Sequence, residues 1–177
     1  MSALLLVQRG STPPAPARAS DFDVRRAAEL AQLCSPSNVA GVGLRGQYFA
    51  QADCRGTPMI VRTDATVDFD AALAWPDPLR RPRSARWDGW VKPVFAGRYR
   101  FHIDEPNSEI VVAHQRMTGM AGDPGQVIEL QAGRFYPIRV SLNRWPSQGR
   151  VRLEWTVPHG ARFLVPRALL YLPTETA

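Results

Sequence analysis

Residues 85–103, ARWDGWVKPVFAGRYRFHI, decide the fold. In the first half Ala85, Trp87 and Gly89 alternate with Arg86, Asp88 and Trp90. After the turn signal Ala96-Gly97, Tyr99, Phe101 and Ile103 share one face while Arg98, Arg100 and His102 share the other. A period of two is that of a strand with one face buried; a helix would repeat every three or four residues. The pattern continues outward in both directions. Leu44 to Ala50 reads as a first strand, and Val67 and Phe69 alternate within Thr66 to Phe69. Glu109 to Ala113 is a β-branched run, expected of a strand buried on both faces. Ile128 and Leu130 make a short strand, and Tyr136, Ile138, Val140 and Leu142 face one way. Val151, Leu153 and Trp155 alternate with Arg150, Arg152 and Glu154. Turn signals at Asp123-Pro124-Gly125 and Ala132-Gly133 separate these runs. Many short strands without intervening helices predict an all-β, antiparallel barrel or sandwich. No internal repeat is present.

The N-terminal part reads differently. Residues 1–19 are expected to be a flexible tail, Pro/Ala-rich from Ser11 to Ala19. Residues 20–42 are expected to hold a short helix and a linker. Ser20 is its N-cap, Ala27, Leu30, Ala31 and Cys34 recur at helical spacing, and Pro36 ends it. The β domain is placed at 43–172 and a C-terminal tail at 173–177.

Composition bounds the function classes. The chain has 177 residues, 45% hydrophobic and 21% charged, an ordinary globular balance. Its formal net charge is +6, and with Lys92 the sole lysine, 22 − 1 = 21 of the basic residues are Arg. They are dispersed except for Arg80, Arg81, Arg83 and Arg86 in a Pro-rich turn. A nucleic-acid binder carries a basic stripe with interleaved aromatics; here there is a patch and no stripe, so no nucleic-acid partner is expected. The basic surface favours acidic ligands. No apolar window approaches the ~18 residues of a membrane helix, so no membrane span is expected. Ala3 to Val7 is too short for the apolar region of a signal peptide. Cys34 and Cys54 pair in an oxidising compartment and stay free thiols in a reducing one; the sequence leaves both open.

No motif marks a catalytic site. There is no G-x-S-x-G elbow, no H-E-x-x-H and no Gly-rich phosphate loop after a strand. His102, His114 and His159 lack metal-site spacing relative to the cysteines. Asp104-Glu105 beside a proline reads as an exposed turn. Asp64, Asp68 and Asp70 are oxygen donors within seven residues, but they lack the spaced loop of a calcium hand, and alternation puts Asp68 and Asp70 on a solvated strand face. The five tryptophans suggest sugar stacking, in which an aromatic face packs on the apolar face of a sugar. Trp87 and Trp155 fall on apolar faces and belong to the core. Trp90, on the polar face, and Trp145, in the turn Asn143-Arg144-Trp145-Pro146, are the surface candidates.

Set in order, several stretches resemble the PA14 domain family. Gly43-Leu44-Arg45-Gly46-Gln47-Tyr48-Phe49 resembles its opening, and Thr63-Asp64-Ala65-Thr66-Val67-Asp68-Phe69 its next signature. Arg86 to Pro93 is similar to its central strand, followed by Ala96-Gly97-Arg98-Tyr99-Arg100-Phe101. Glu129 to Arg134 with Tyr136 to Val140, Arg152 to Trp155, and Val165 to Tyr171 are similar to the later elements. The likeness covers residues 43 to 172. It implies a β-barrel found in adhesins, glycosidases, toxins and other surface proteins, often binding glycans. Many members hold Ca²⁺ through an Asp-Asp-Gly motif, and the cation grips sugar hydroxyls. Here that motif falls at Pro106-Asn107-Ser108, and a later Val-Asp-Gly falls at Ala113-His114-Gln115. Both acids are absent, so no metal ligand and no cofactor is expected.

The expectation is a non-catalytic module that binds glycan without calcium, through loops after Phe101, around Met117 to Gly125 and near Trp145. Its ligand contacts are placed at Asp104, Glu105, Asn107, His114, Trp90 and Trp145. The alternative is a structural or assembly component that docks on protein. An extracytoplasmic or surface location follows from the resemblance alone.

Overall fold

The computed structural model describes residues 41–117 and 125–174. The N-terminal tail and helix expected before residue 41, the loop 118–124 and Cys34 lie outside the described residues. The thirteen strands among the described residues are β1 (Leu44–Phe49), β2 (Ile60–Asp64), β3 (Asp68–Asp70), β4 (Ser84–Val91), β5 (Gly97–His102), β6 (Ser108–Val112), β7 (Gln115–Arg116), β8 (Ile128–Leu130), β9 (Tyr136–Leu142), β10 (Arg150–Arg152), β11 (Glu154–Thr156), β12 (Arg162–Leu164) and β13 (Leu170–Tyr171).

All pairings are antiparallel. The larger sheet runs β2-β1-β4-β9-β6-β7, with β13 continuing alongside β4 where β1 ends. A second layer consists of the ribbon β10-β3 and the sheet β12-β11-β5-β8. The barrel expectation is corrected: the sheet edges β2 and β7 do not pair with one another, so the sheets face each other as an open sandwich. Glu109 to Ala113 is also corrected. Ile110 and Val112 are fully buried, but Val111 between them is half-exposed, because the larger sheet keeps one face toward solvent.

The alternating residues of β4 and β5 meet in the core. Trp87, Tyr99 and Trp155 are fully buried, and Tyr99 and Trp155 stand 5.0 Å apart. Trp145 is corrected: it is 6% exposed, its indole nitrogen donates to the Ala71 carbonyl at 3.0 Å, and its ring lies among Tyr48, Phe69 and Trp75. Arg144 beside it is exposed, but the large Trp145 side chain reaches back under the β3–β4 connection.

Asp64, grouped in the sequence with Asp68 and Asp70 as a nearby oxygen donor, stands apart from them in the structure. It is 6% exposed at the end of β2. Its carboxylate accepts from the Tyr48 hydroxyl at 2.5 Å, the Trp87 indole at 2.9 Å and Arg62 Nε at 2.8 Å. Arg62 also lies over the rings of Tyr48 and Trp75, at 4.7 and 5.2 Å from their centroids. An edge strand thus turns a paired cation over its core and seals the open side of the sandwich. Asp68, by contrast, is on the outer face as expected and binds Arg150 at 2.7 Å.

Candidate ligand-binding surface

Cross-strand partners share a face of a sheet. Register therefore decides which outer side chains of the larger sheet stand together. Tyr171 of β13, Trp90 of β4 and Pro137 of β9 are successive partners, all half-buried. Phe135, 50% exposed, meets Tyr171 edge-to-face at 4.9 Å, and the Lys92 ammonium lies 5.3 Å from the Phe135 ring centre. The result is an apolar, largely aromatic row across three strands.

The next row is polar. Arg45, Asp88 and Arg139 are successive partners on β1, β4 and β9, with Val111 of β6 beyond. Asp88, 7% exposed, accepts from Arg139 Nε at 2.6 Å and pairs with Arg86 Nε at 3.2 Å. Arg45 Nε is buried and has no hydrogen-bond partner among the described residues. Two guanidiniums thus pair with one carboxylate and a third, Arg45, stands opposite it on β1, leaving positive charge and a spare donor beside the aromatic row.

Trp90 and Pro137 of the first row and Arg45, Asp88, Arg139 and Val111 of the second line an open groove of about 410 Å³, walled also by His114, Pro173 and Thr174, with Tyr171 and Phe135 continuing the aromatic row beside it. A two-residue hairpin between β6 and β7 holds His114 there. Ala113 and His114 have φ of 49° and 65°, the left-handed pair a type I′ turn requires. Neither is glycine, so the turn stores backbone strain to present an imidazole at the rim.

Of the expected contact residues, Trp90 and His114 come together in this groove. Asp104, Glu105 and Asn107 lie elsewhere, on the connection between β5 and β6. Burial, and then the neighbouring Asp104, push the Glu105 carboxyl above its ordinary range. The donor set at this connection does not fit a hard dication. The Asp104 carboxylate is taken by Arg162 at 2.7 Å, and Ser108 Oγ is turned to the Glu105 carbonyl. The Asn107 carbonyl accepts from the Asn143 amide. Among the described residues no three His, Cys, Asp or Glu side chains gather to hold a metal ion. Sequence reading missed Arg45, Asp88, Phe135, Arg139 and Tyr171 as neighbours of Trp90. Their signal is register, which joins residues as distant as Trp90 and Tyr171 and is written in no local motif.

Comparison with known proteins agrees with this architecture. The chain is 25% identical over 142 residues to the anti-sigma-I factor RsgI3 of Acetivibrio thermocellus, covering 76% of this chain and 22% of that protein. It is similar to the solved anti-sigma factor domain-containing protein from Clostridium clariflavum, with 26% identity, a TM-score of 0.61, and 76% of this chain and 48% of that one covered. The PA14 sugar-binding domain from an RTX adhesin shares the fold at 16% identity and a TM-score of 0.56, covering 75% of this chain and 99% of that one. The chain therefore spans about a fifth of the first relative and about half of the second. The family description "PA14 domain" matches residues 41–168, nearly the whole described structure, and the chain belongs to the PA14 domain family.

Proposed function

We propose that this chain is a non-catalytic module that binds carbohydrate, without calcium, on the outer face of its larger sheet. The observation that carries the reading is the row Pro137, Trp90, Tyr171 and Phe135 lying beside Arg45, Asp88 and Arg139. Aromatic faces pack against the apolar faces of sugar rings, and a row of charged donors and acceptors beside them satisfies hydroxyls. The strained turn at His114 supports it, since strain at a rim is retained where position matters. Excess guanidinium favours glycans that carry carboxylates, because Arg binds them bidentately. An extracytoplasmic or surface location belongs to the same reading.

The sugar-binding title of the RTX adhesin domain belongs to a chain that shares the fold; the assignment here rests on the rows. The relatives named as anti-sigma factors support a second reading, in which the domain is a docking part of a longer protein. A glycan array screened with calcium and then with chelator separates the two. The expected result is retention that survives the chelator. Retention lost with the chelator would overturn the calcium-free site, and silence from a folded sample would move the assignment to docking.

A further inference from the structure

The far end of the sandwich carries a surface that the groove does not explain. The β3–β4 connection displays Leu79 at 95% exposure and Leu73 at 76%. Isolated exposed leucines are common on flexible loops, but these two are held rigidly. Asp70 Oδ1 accepts from the amides of Ala72 and Leu73 at 3.0 and 3.1 Å. Asp77 Oδ1 accepts from the Leu79 amide at 2.9 Å at the head of a 3-10 turn, Pro78–Arg80. Arg81 Nη2 reaches the Ala72 carbonyl at 3.4 Å and ties the two arms together. Beneath them the Trp145 indole anchors Ala71. The chain therefore spends specific hydrogen bonds to hold two leucine tips in water.

The same connection carries cations. Arg80 has an 82% exposed side chain, and Arg83 and Arg144 are exposed. The Trp145 amide donates to the Arg83 carbonyl at 2.7 Å, which brings Arg144 beside Arg83. Arg80 pairs loosely with Asp77 at 3.8 Å, Arg81 is half-buried and tied to Ala72, and Arg83 and Arg144 carry no ion pair among the described residues, so the loop keeps a net positive charge. Two separate tips on turns do not make the continuous complementary area that a protein partner needs. They suit a fluid phase that closes around each side chain, with guanidiniums forking onto phosphates.

We propose that this pole docks on an anionic phospholipid surface, with Leu73 and Leu79 entering the headgroup boundary and the exposed Arg80, Arg83 and Arg144 pairing with phosphates. The geometry leaves the groove free. Ser84 and Trp90 lie at opposite ends of β4, roughly 20 Å apart at a strand's ordinary rise. A lipid-bound molecule would hold its aromatic row away from the membrane.

The test is co-sedimentation of the full chain with vesicles of phosphatidylcholine containing phosphatidylglycerol, against phosphatidylcholine alone. The expected result is pelleting with the first only, released by added salt. Leu73→Ser with Leu79→Ser, and separately Arg80→Glu with Arg144→Glu, should each weaken it by about tenfold or more, since each basic side chain is worth roughly a factor of five. These side chains are exposed, so an unchanged thermal melt keeps the comparison clean. Failure of the wild-type chain to pellet, or undiminished pelleting of both variants, would overturn the proposal. Retention on an immobilised acidic peptide without vesicle binding would overturn it in favour of a protein partner.

Discussion

At the scale of single residues, the most consequential side chain is Asp64. It ends an edge strand, yet it accepts hydrogen bonds from Tyr48, Trp87 and Arg62. Removing it would strand a buried hydroxyl, a buried indole and a guanidinium together. Asp64→Ala should therefore lose about 3 kcal/mol in urea unfolding, the cost of breaking one partner out of a buried charged network. Tyr48 feels the same network. Burial, and then the charge and hydrogen bond of Asp64, push its hydroxyl well above the usual tyrosine range. A group whose folded pKa is raised contributes stability that is fully present below the unfolded value and is lost as pH rises toward the folded one. Melting temperature should fall above about pH 10, where an unfolded tyrosine ionises, and Tyr48→Phe should flatten that fall. An identical alkaline slope in the variant would sink the assignment. None of this was legible in the sequence, where Asp64, Asp68 and Asp70 read as one acidic group. The turn between β2 and β3 separates them, and only β1 and β4 bring Tyr48 and Trp87 to the first. Trp145 failed for the converse reason: turn composition predicts the exposure of a backbone segment, and a large ring can still reach inward.

At the scale of elements, the alternation in 85–103 was enough to place β4 and β5 and to assign Trp87 to the core and Trp90 to the outer face. β1 and β9 were legible in the same way, while β6 was placed but misread as buried on both faces. β2 was not: its two apolar residues, Ile60 and Val61, are half-exposed and exposed, and Arg62 is the side chain that folds over the core rings. The stretch 150–155 read as one strand but divides at Leu153: its amide still donates to Val67 in line with β3, while its carbonyl accepts from Val165 and the chain beyond it pairs with β5 and β12. β13 is two residues long, too short for periodicity to register. It nevertheless supplies Tyr171 to the aromatic row, and Gly89 lets it approach. A Cβ at Gly89 would stand 2.2 Å from the Tyr171 carbonyl oxygen and 2.7 Å from Leu44 Cδ2. Gly89→Ala should therefore cost on the order of 2 kcal/mol in chemical denaturation through overpacking, and should weaken glycan retention by displacing β13. Full stability with unchanged retention would contradict the packing described here.

At the scale of the whole molecule, the ordered motifs placed the PA14 fold, while closure of the sheet into a barrel is a tertiary outcome that alternation cannot report. The candidate surface was half legible as a place in the fold. Trp90 stood out because a tryptophan on a polar face needs a reason, and His114 because of its place in the family motif. Their partners emerge from register alone. The proposed site differs from that of a calcium-loop reading: ligand would lie across the outer face of the larger sheet and not at the connection carrying Asp104 and Asn107. The most direct measurement is the dissociation constant for the glycan that the array selects, taken for the wild type, for Trp90→Ala and for Asp104→Asn with Asn107→Ala. The account predicts a loss of about tenfold or more, ~1.4 kcal/mol, in the first variant and wild-type affinity in the second. Affinity that collapses in the Asp104 and Asn107 variant while Trp90→Ala binds normally would contradict it.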